Sequence, residues 1–193
     1  TDVLQYDVPT LTQWLSEREA KWLYNRVRGI DTSEVEGHGD AKSISRDETF
    51  SSDIDDDDEL RRELLALITR AAADLRGDAM TARTVTVRIR DYDFKTRQAS
   101  RTLQAPVISD RVILEVARSL LAKLRQARRV PARLIGVGLS SLTVDTTADQ
   151  LTLFEIRDSK TDETDRDRLL ARTVDRVRAK FGDKGILPAR LVD

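Results

Sequence analysis

Within Arg83–Asp91, RTVTVRIRD, the seven residues from Thr84 to Arg90 alternate polar and apolar without a break. Successive side chains of a strand point to opposite faces, so Val85, Val87 and Ile89 share one side. Thr84, Thr86, Arg88 and Arg90 share the other. A segment patterned this way folds as a strand with one dry face and one wet, cationic face. The chain must therefore supply apolar cover for one side of a sheet and leave the other side open.

Two stretches can supply that cover. Residues 52–75 carry Leu60, Leu64, Leu67, Ile68, Ala71 and Leu75 at helical spacing, and residues 109–127 carry Val112, Ile113, Val116, Ala117, Leu120, Leu121 and Leu124. Three more strands are expected at 42–50, 98–103 and 133–142, the last following Pro131. The turn-like DFKTR between the second and third strands makes them a hairpin. The order β-α-β-β-α-β predicts an α+β, ferredoxin-like domain: a four-stranded antiparallel sheet with both helices on one face. Gly136, Gly138 and Ser140 join Arg88 and Arg90 on the open face, because Ile135, Val137 and Leu139 take the covered one. Arg, Thr, Ser and Gly on an open sheet suit a polyanion backbone.

Either side of this unit the pattern changes. Residues 10–28 read as two short helices, with Thr10 and Gln13, then Ser16 and Glu19, forming capping boxes and Gly29 a left-handed stop. Leu23, Tyr24 and Val27 form a short stripe, too little for a core of its own. Residues 34–41 read as a polar linker, in which His38, the only histidine, is a solvent residue. Residues 156–193 hold a charged connector and an amphipathic helix at 169–183, bearing Leu169, Leu170, Val174, Val177 and Phe181.

Charge is segregated although the net is −1. Residues 83–142 hold thirteen Lys or Arg against four Asp or Glu. Residues 47–59 hold eight acids and no base. The cationic centre points to an anionic partner. The acidic run fails as a calcium loop, since Asp58 stands where glycine is needed and Leu64 where glutamate is needed. It is read instead as negative charge at a helix N-terminus. Cysteine is absent, no apolar run is long enough to span a bilayer, and no phosphate-cradling glycine loop or Ser-His-Asp set exists. The residues thus point to binding and offer no catalysis by this chain alone, in a chain expected to be cytoplasmic, monomeric and without a membrane partner.

KSISRDETF (42–50), ARTVTVRIRDYDFKTRQASRTL (82–103) and ARLIGVGLSSL (132–142) resemble the little-finger domain of Y-family translesion DNA polymerases, bacterial polymerase IV type. WLSEREAKWLYNRVRGID (14–31) resembles the end of that family's thumb. The resemblance implies thumb in 1–33, linker in 34–41 and little finger in 42–148. It implies primer-template backbone contacts from Lys42, Ser43, Ser45 and Arg46, from Thr84, Thr86, Arg88 and Arg90, and from Arg97, Ser100, Arg101 and Thr102. Gly138 departs from the family, which often has a basic residue there. The parent enzymes polymerise with Mg²⁺ held by palm carboxylates, and no such palm is in this sequence, so no cofactor is expected here.

The family also carries a short Gln-Leu-x-Leu-Phe peptide that docks on the replication sliding clamp. Gln150, Leu151, Leu153 and Phe154 match it, within a peptide segment at 149–155. The other class of reading is an RNA-binding or small-ligand regulatory module on the same fold. The strands carry no aromatic on the open face save Tyr92 at one end, which disfavours base stacking on RNA.

Overall fold

The computed structural model describes residues 2–34, 42–145 and 162–191. Most of the linker, including His38, and the whole of 149–155 lie outside the described residues. The chain divides into two compact units, Thr1–Asp40 and Ala41–Asp193.

The first unit is helical, with a 3₁₀ turn Asp2–Gln5, α1 Val8–Leu11 and α2 Glu17–Val27. The expected Ser16–Glu19 capping box forms in full, and Gly29 adopts a left-handed φ of 70° just past the helix end. The expected Thr10–Gln13 box does not form. Asp7 is the N-cap instead, accepting from the Thr10 backbone at 3.0 Å. Pro9 explains the shift, since proline belongs in a helix's first turn, which places the start before Thr10. The Arg28 guanidinium lies 3.6 Å from the Tyr24 ring centroid and donates to the carbonyl of Leu4 at 2.7 Å, tying the 3₁₀ turn to α2.

The second unit runs β1 Ser43–Ile54, α3 Asp57–Gly77, β2 Met80–Asp91, β3 Thr96–Val107, α4 Asp110–Ala127, β4 Ala132–Val144 and α5 Asp165–Phe181. The sheet is antiparallel in the order β1-β4-β2-β3. β4 thus lies between β1 and β2, and β2 between β3 and β4, giving two interleaved split β-α-β units as the α+β reading expected. Val85, Val87 and Ile89 of β2 and Ile135, Val137 and Leu139 of β4 are buried. They pack in one cluster with Leu60, Leu64, Leu67, Ile68 and Leu75 of α3 and Val112, Ile113, Val116, Leu120 and Leu121 of α4. Each such side chain contributes roughly 1.5–3 kcal/mol by leaving water.

α3 begins later than expected, because 52–54 remain in β1 and Ile54 still pairs with Ala132 beyond a register shift. Asp56 caps the helix through the backbone N–H of Asp58 and Glu59. Asp55 and Asp57 hold the buried Arg125 of α4 at 2.8 and 2.6 Å, and Arg125 also donates to the Val130 carbonyl. The acidic run is therefore a helix cap and an interhelix clasp. No three His, Asp or Glu residues come together as a metal site among the described residues.

α5 docks by ion pairs more than by apolar burial. Arg76 of α3 bridges Asp175 at 2.6 Å and Asp110 at 2.7 Å, and Arg111 of α4 pairs with Asp167 at 2.7 Å. Glu163 accepts from the backbone N–H of Ile108 and Ser109, completing the start of α4, whose own N-cap Ser109 makes no side-chain cap. Only Ala171 of α5 is buried, while Leu169, Leu170 and Phe181 are exposed.

Candidate nucleic-acid interface

The strand register decides which side chains meet on the uncovered face. Four rows cross the sheet from β1 through β4 and β2 to β3. They are Ser43-Ser140-Thr84-Thr102, Ser45-Gly138-Thr86-Ser100, Asp47-Gly136-Arg88-Gln98 and Thr49-Leu134-Arg90-Thr96. The first two rows form a field of hydroxyls with a bare glycine near its middle. Thr84 Oγ1 lies 3.0 Å from Thr102 Oγ1, and Thr86 Oγ1 lies 2.9 Å from Ser100 Oγ. The last two rows add the guanidiniums. Arg90 Nε donates to Thr96 Oγ1 at 3.1 Å, and Arg88 Nη1 lies 3.4 Å from Asp47 Oδ2.

Eight of the expected contact residues share this face: Ser43, Ser45, Thr84, Thr86, Arg88, Arg90, Ser100 and Thr102. Lys42, exposed, precedes β1 at the hydroxyl end. The other three fall on the opposite parity, as consecutive strand residues must. Arg46 registers with Val137 and pairs with Asp74 of α3 at 2.6 Å. Arg97 registers with Ile89, pairs with the fully buried Asp91 at 2.7 Å and donates to the Leu124 carbonyl. Arg101 registers with Val85. Arg97 and Arg128 together hold the hairpin to the end of α4, with Arg128 bridging Asp91 and Asp93. That contact depresses the Asp93 carboxyl well below its ordinary range.

Sequence reasoning missed Asp47, Thr49, Thr96, Gln98 and Leu134. The signal existed, because Asp47 lies two residues beyond Ser45 and so on the same face. None of the four rows contains an aromatic residue. Tyr92 and Phe94 are exposed at the β2–β3 turn beyond the last row, with Arg133 4.9 Å from the Phe94 ring centroid. The face can therefore offer forked guanidinium donors, hydroxyls and close backbone approach, but no stacking platform within its rows. No described helix is long and apolar enough to cross a membrane.

Residues 41–153 match the model of the impB/mucB/samB family C-terminal domain. DNA polymerase IV of Staphylococcus epidermidis is 34% identical over 125 residues, which cover 65% of this chain and 35% of that protein. DNA polymerase IV of Staphylococcus aureus is 36% identical over 129 residues, covering 67% and 36%. The chain thus matches about a third of the length of these relatives. Among solved structures, DinB from Sulfolobus solfataricus is similar at 21% identity and a TM-score of 0.48, covering 74% of this chain and 41% of that one.

Proposed function

The chain belongs to the impB/mucB/samB family as a C-terminal domain of Y-family, polymerase IV type, and from that premise we propose that its open sheet face grips primer-template DNA by the backbone. The observation that carries the reading is the transverse register, which sets Arg88 and Arg90 beside two rows of Ser and Thr, with none of these Arg, Ser and Thr side chains buried among the described residues. Phosphate oxygens accept from guanidinium and hydroxyl alike, and such contacts hold a duplex without reading its sequence. Lys42, Ser43, Ser45, Thr84, Thr86, Arg88, Arg90, Ser100 and Thr102 form the proposed grip, while Arg46 and Arg97 brace the sheet against its helices. Arg101, on the edge strand β3, lies on the helix-side parity and is not part of the proposed grip.

The grip supplies positioning and no chemistry of its own. Nucleotidyl transfer with divalent metal is assigned to the rest of the parent polymerase. The peptide 150–154 is proposed to tether that polymerase to the sliding clamp, on the strength of its four matching residues.

The test is fluorescence anisotropy of the 193-residue chain with labelled primer-template DNA across a salt series. Affinity should fall with a log–log slope of about 0.9 per phosphate neutralised. Replacing Arg88 and Arg90 together by Ala should weaken binding about tenfold on every DNA sequence and flatten the slope by roughly 1–2. Salt-independent binding, or a double variant that binds as well as the parent, would discard the reading.

A further inference from the structure

The proposed grip contains one acid. Asp47 sits in the third row, directly opposite Gly136, which in turn is opposite Arg88. Its carboxylate leans across the glycine toward the guanidinium, with Asp47 Oδ2 3.4 Å from Arg88 Nη1. A Cβ at Gly136 would lie 1.7 Å from Asp47 Oδ1, so the carboxylate occupies the space that any other residue's side chain would fill. One row away the situation is reversed. A Cβ at Gly138 would meet only the Thr86 Cβ, at 3.8 Å, leaving the neighbouring trough open between Ser45 and Thr86.

We infer that Asp47 is a built-in competitor for the phosphate that Arg88 would otherwise hold. The inference rests on the open-face reading and deepens it. A carboxylate and a phosphate diester oxygen are acceptors of the same kind for a guanidinium, and they repel one another. A DNA phosphate entering the trough must share Arg88 with Asp47 or displace it. The pair is partly exposed, at 43% and 37% for the two side chains, so displacement is feasible and the restraint is moderate. The consequence is a grip weaker than its cations alone would give, suited to a domain that must release and re-engage along a duplex.

The test is Asp47→Asn, which keeps the shape over Gly136 and removes the charge, with Glu48→Gln as control. Glu48 is the next residue of the same strand but lies on the helix side, 3.6 Å from Arg70. With the 193-residue chain and a labelled primer-template duplex, Asp47→Asn should tighten binding about fivefold, the effect of one unit charge a few ångströms from a phosphate in a wet setting. Its salt slope should steepen by up to about 0.9, since Arg88 then neutralises a phosphate outright. Glu48→Gln should change affinity less than twofold. If Asp47→Asn leaves affinity and slope unchanged while the Arg88 and Arg90 double variant weakens binding, the competitor role is overturned and the face reading stands. If both acid variants tighten binding equally, net charge is responsible and the competitor role is likewise overturned. If the double arginine variant has no effect, the face reading itself has failed.

Discussion

At the scale of single residues, the two glycines of β4 are not equivalent. At Gly136 a larger residue would have to push aside the partly exposed Asp47 carboxylate, which lies in its side-chain space. Gly138 is bare by composition only, in extended backbone with ordinary room for a Cβ. Gly138→Lys should therefore fold, and it removes a strand-weakening glycine in doing so. Its ammonium would stand over the hydroxyl rows, beside Ser45 and Thr86. The expected result is DNA binding about threefold tighter, with a salt slope steeper by about 0.9, in the same anisotropy assay. A variant that melts within a few degrees of the parent yet binds no tighter would place the phosphate path elsewhere on the sheet.

At the scale of elements, legibility tracked local periodicity. β2 was legible because Val85, Val87 and Ile89 alternate with polar residues, and α4 because its stripe is unbroken. The junction of β1 and α3 was not, since SSDIDDDD has neither period. What carries the strand on to Ile54 is its pairing with Ala132 of β4, a partner nearly eighty residues away. The face was legible to the same extent. Alternation assigned Arg88 and Arg90, but naming runs of neighbours on β1 and β3 mixed both sides of the sheet and passed over Asp47. The docking of α5 left no mark in the sequence, because Arg76–Asp175 and Arg111–Asp167 join residues far apart with no repeat.

The docking has a pH consequence. The Arg111 hydrogen bond, helped by Thr164, holds the Asp167 carboxyl well below its ordinary value near 3.8. A depressed acid contributes stability that is full above the unfolded value and lost as pH falls through the folded one. Asp110 moves the opposite way, raised by burial despite Arg76, so its protonation does not add to the loss. Hydrogen exchange should show α5 losing protection below about pH 3.8 while β2 and β4, buried by apolar packing, keep theirs. Simultaneous loss in α5 and β4 would mean that the helix is held by more than its ion pairs.

At the scale of the whole molecule, the two proposed attachments would act together. The proposed backbone grip, moderated by Asp47, would give modest, salt-sensitive affinity. A clamp-docking peptide in the same chain would convert the second attachment into an intramolecular event, at an effective concentration reaching millimolar for a short tether. The proposed anchors are Leu153 and Phe154, with Gln150 and Leu151 completing the match. Leu153→Ala with Phe154→Ala removes two apolar anchors, each worth about 2 kcal/mol where it is a hot spot. That double variant should abolish pulldown by the sliding clamp and leave binding to naked primer-template DNA unchanged. The Arg88 and Arg90 double variant should do the reverse. On DNA already loaded with clamp, the parent chain should bind at least tenfold more tightly than either double variant. Clamp pulldown that survives the loss of Leu153 and Phe154 would remove the tether, and the sheet face would then have to account for the whole attachment.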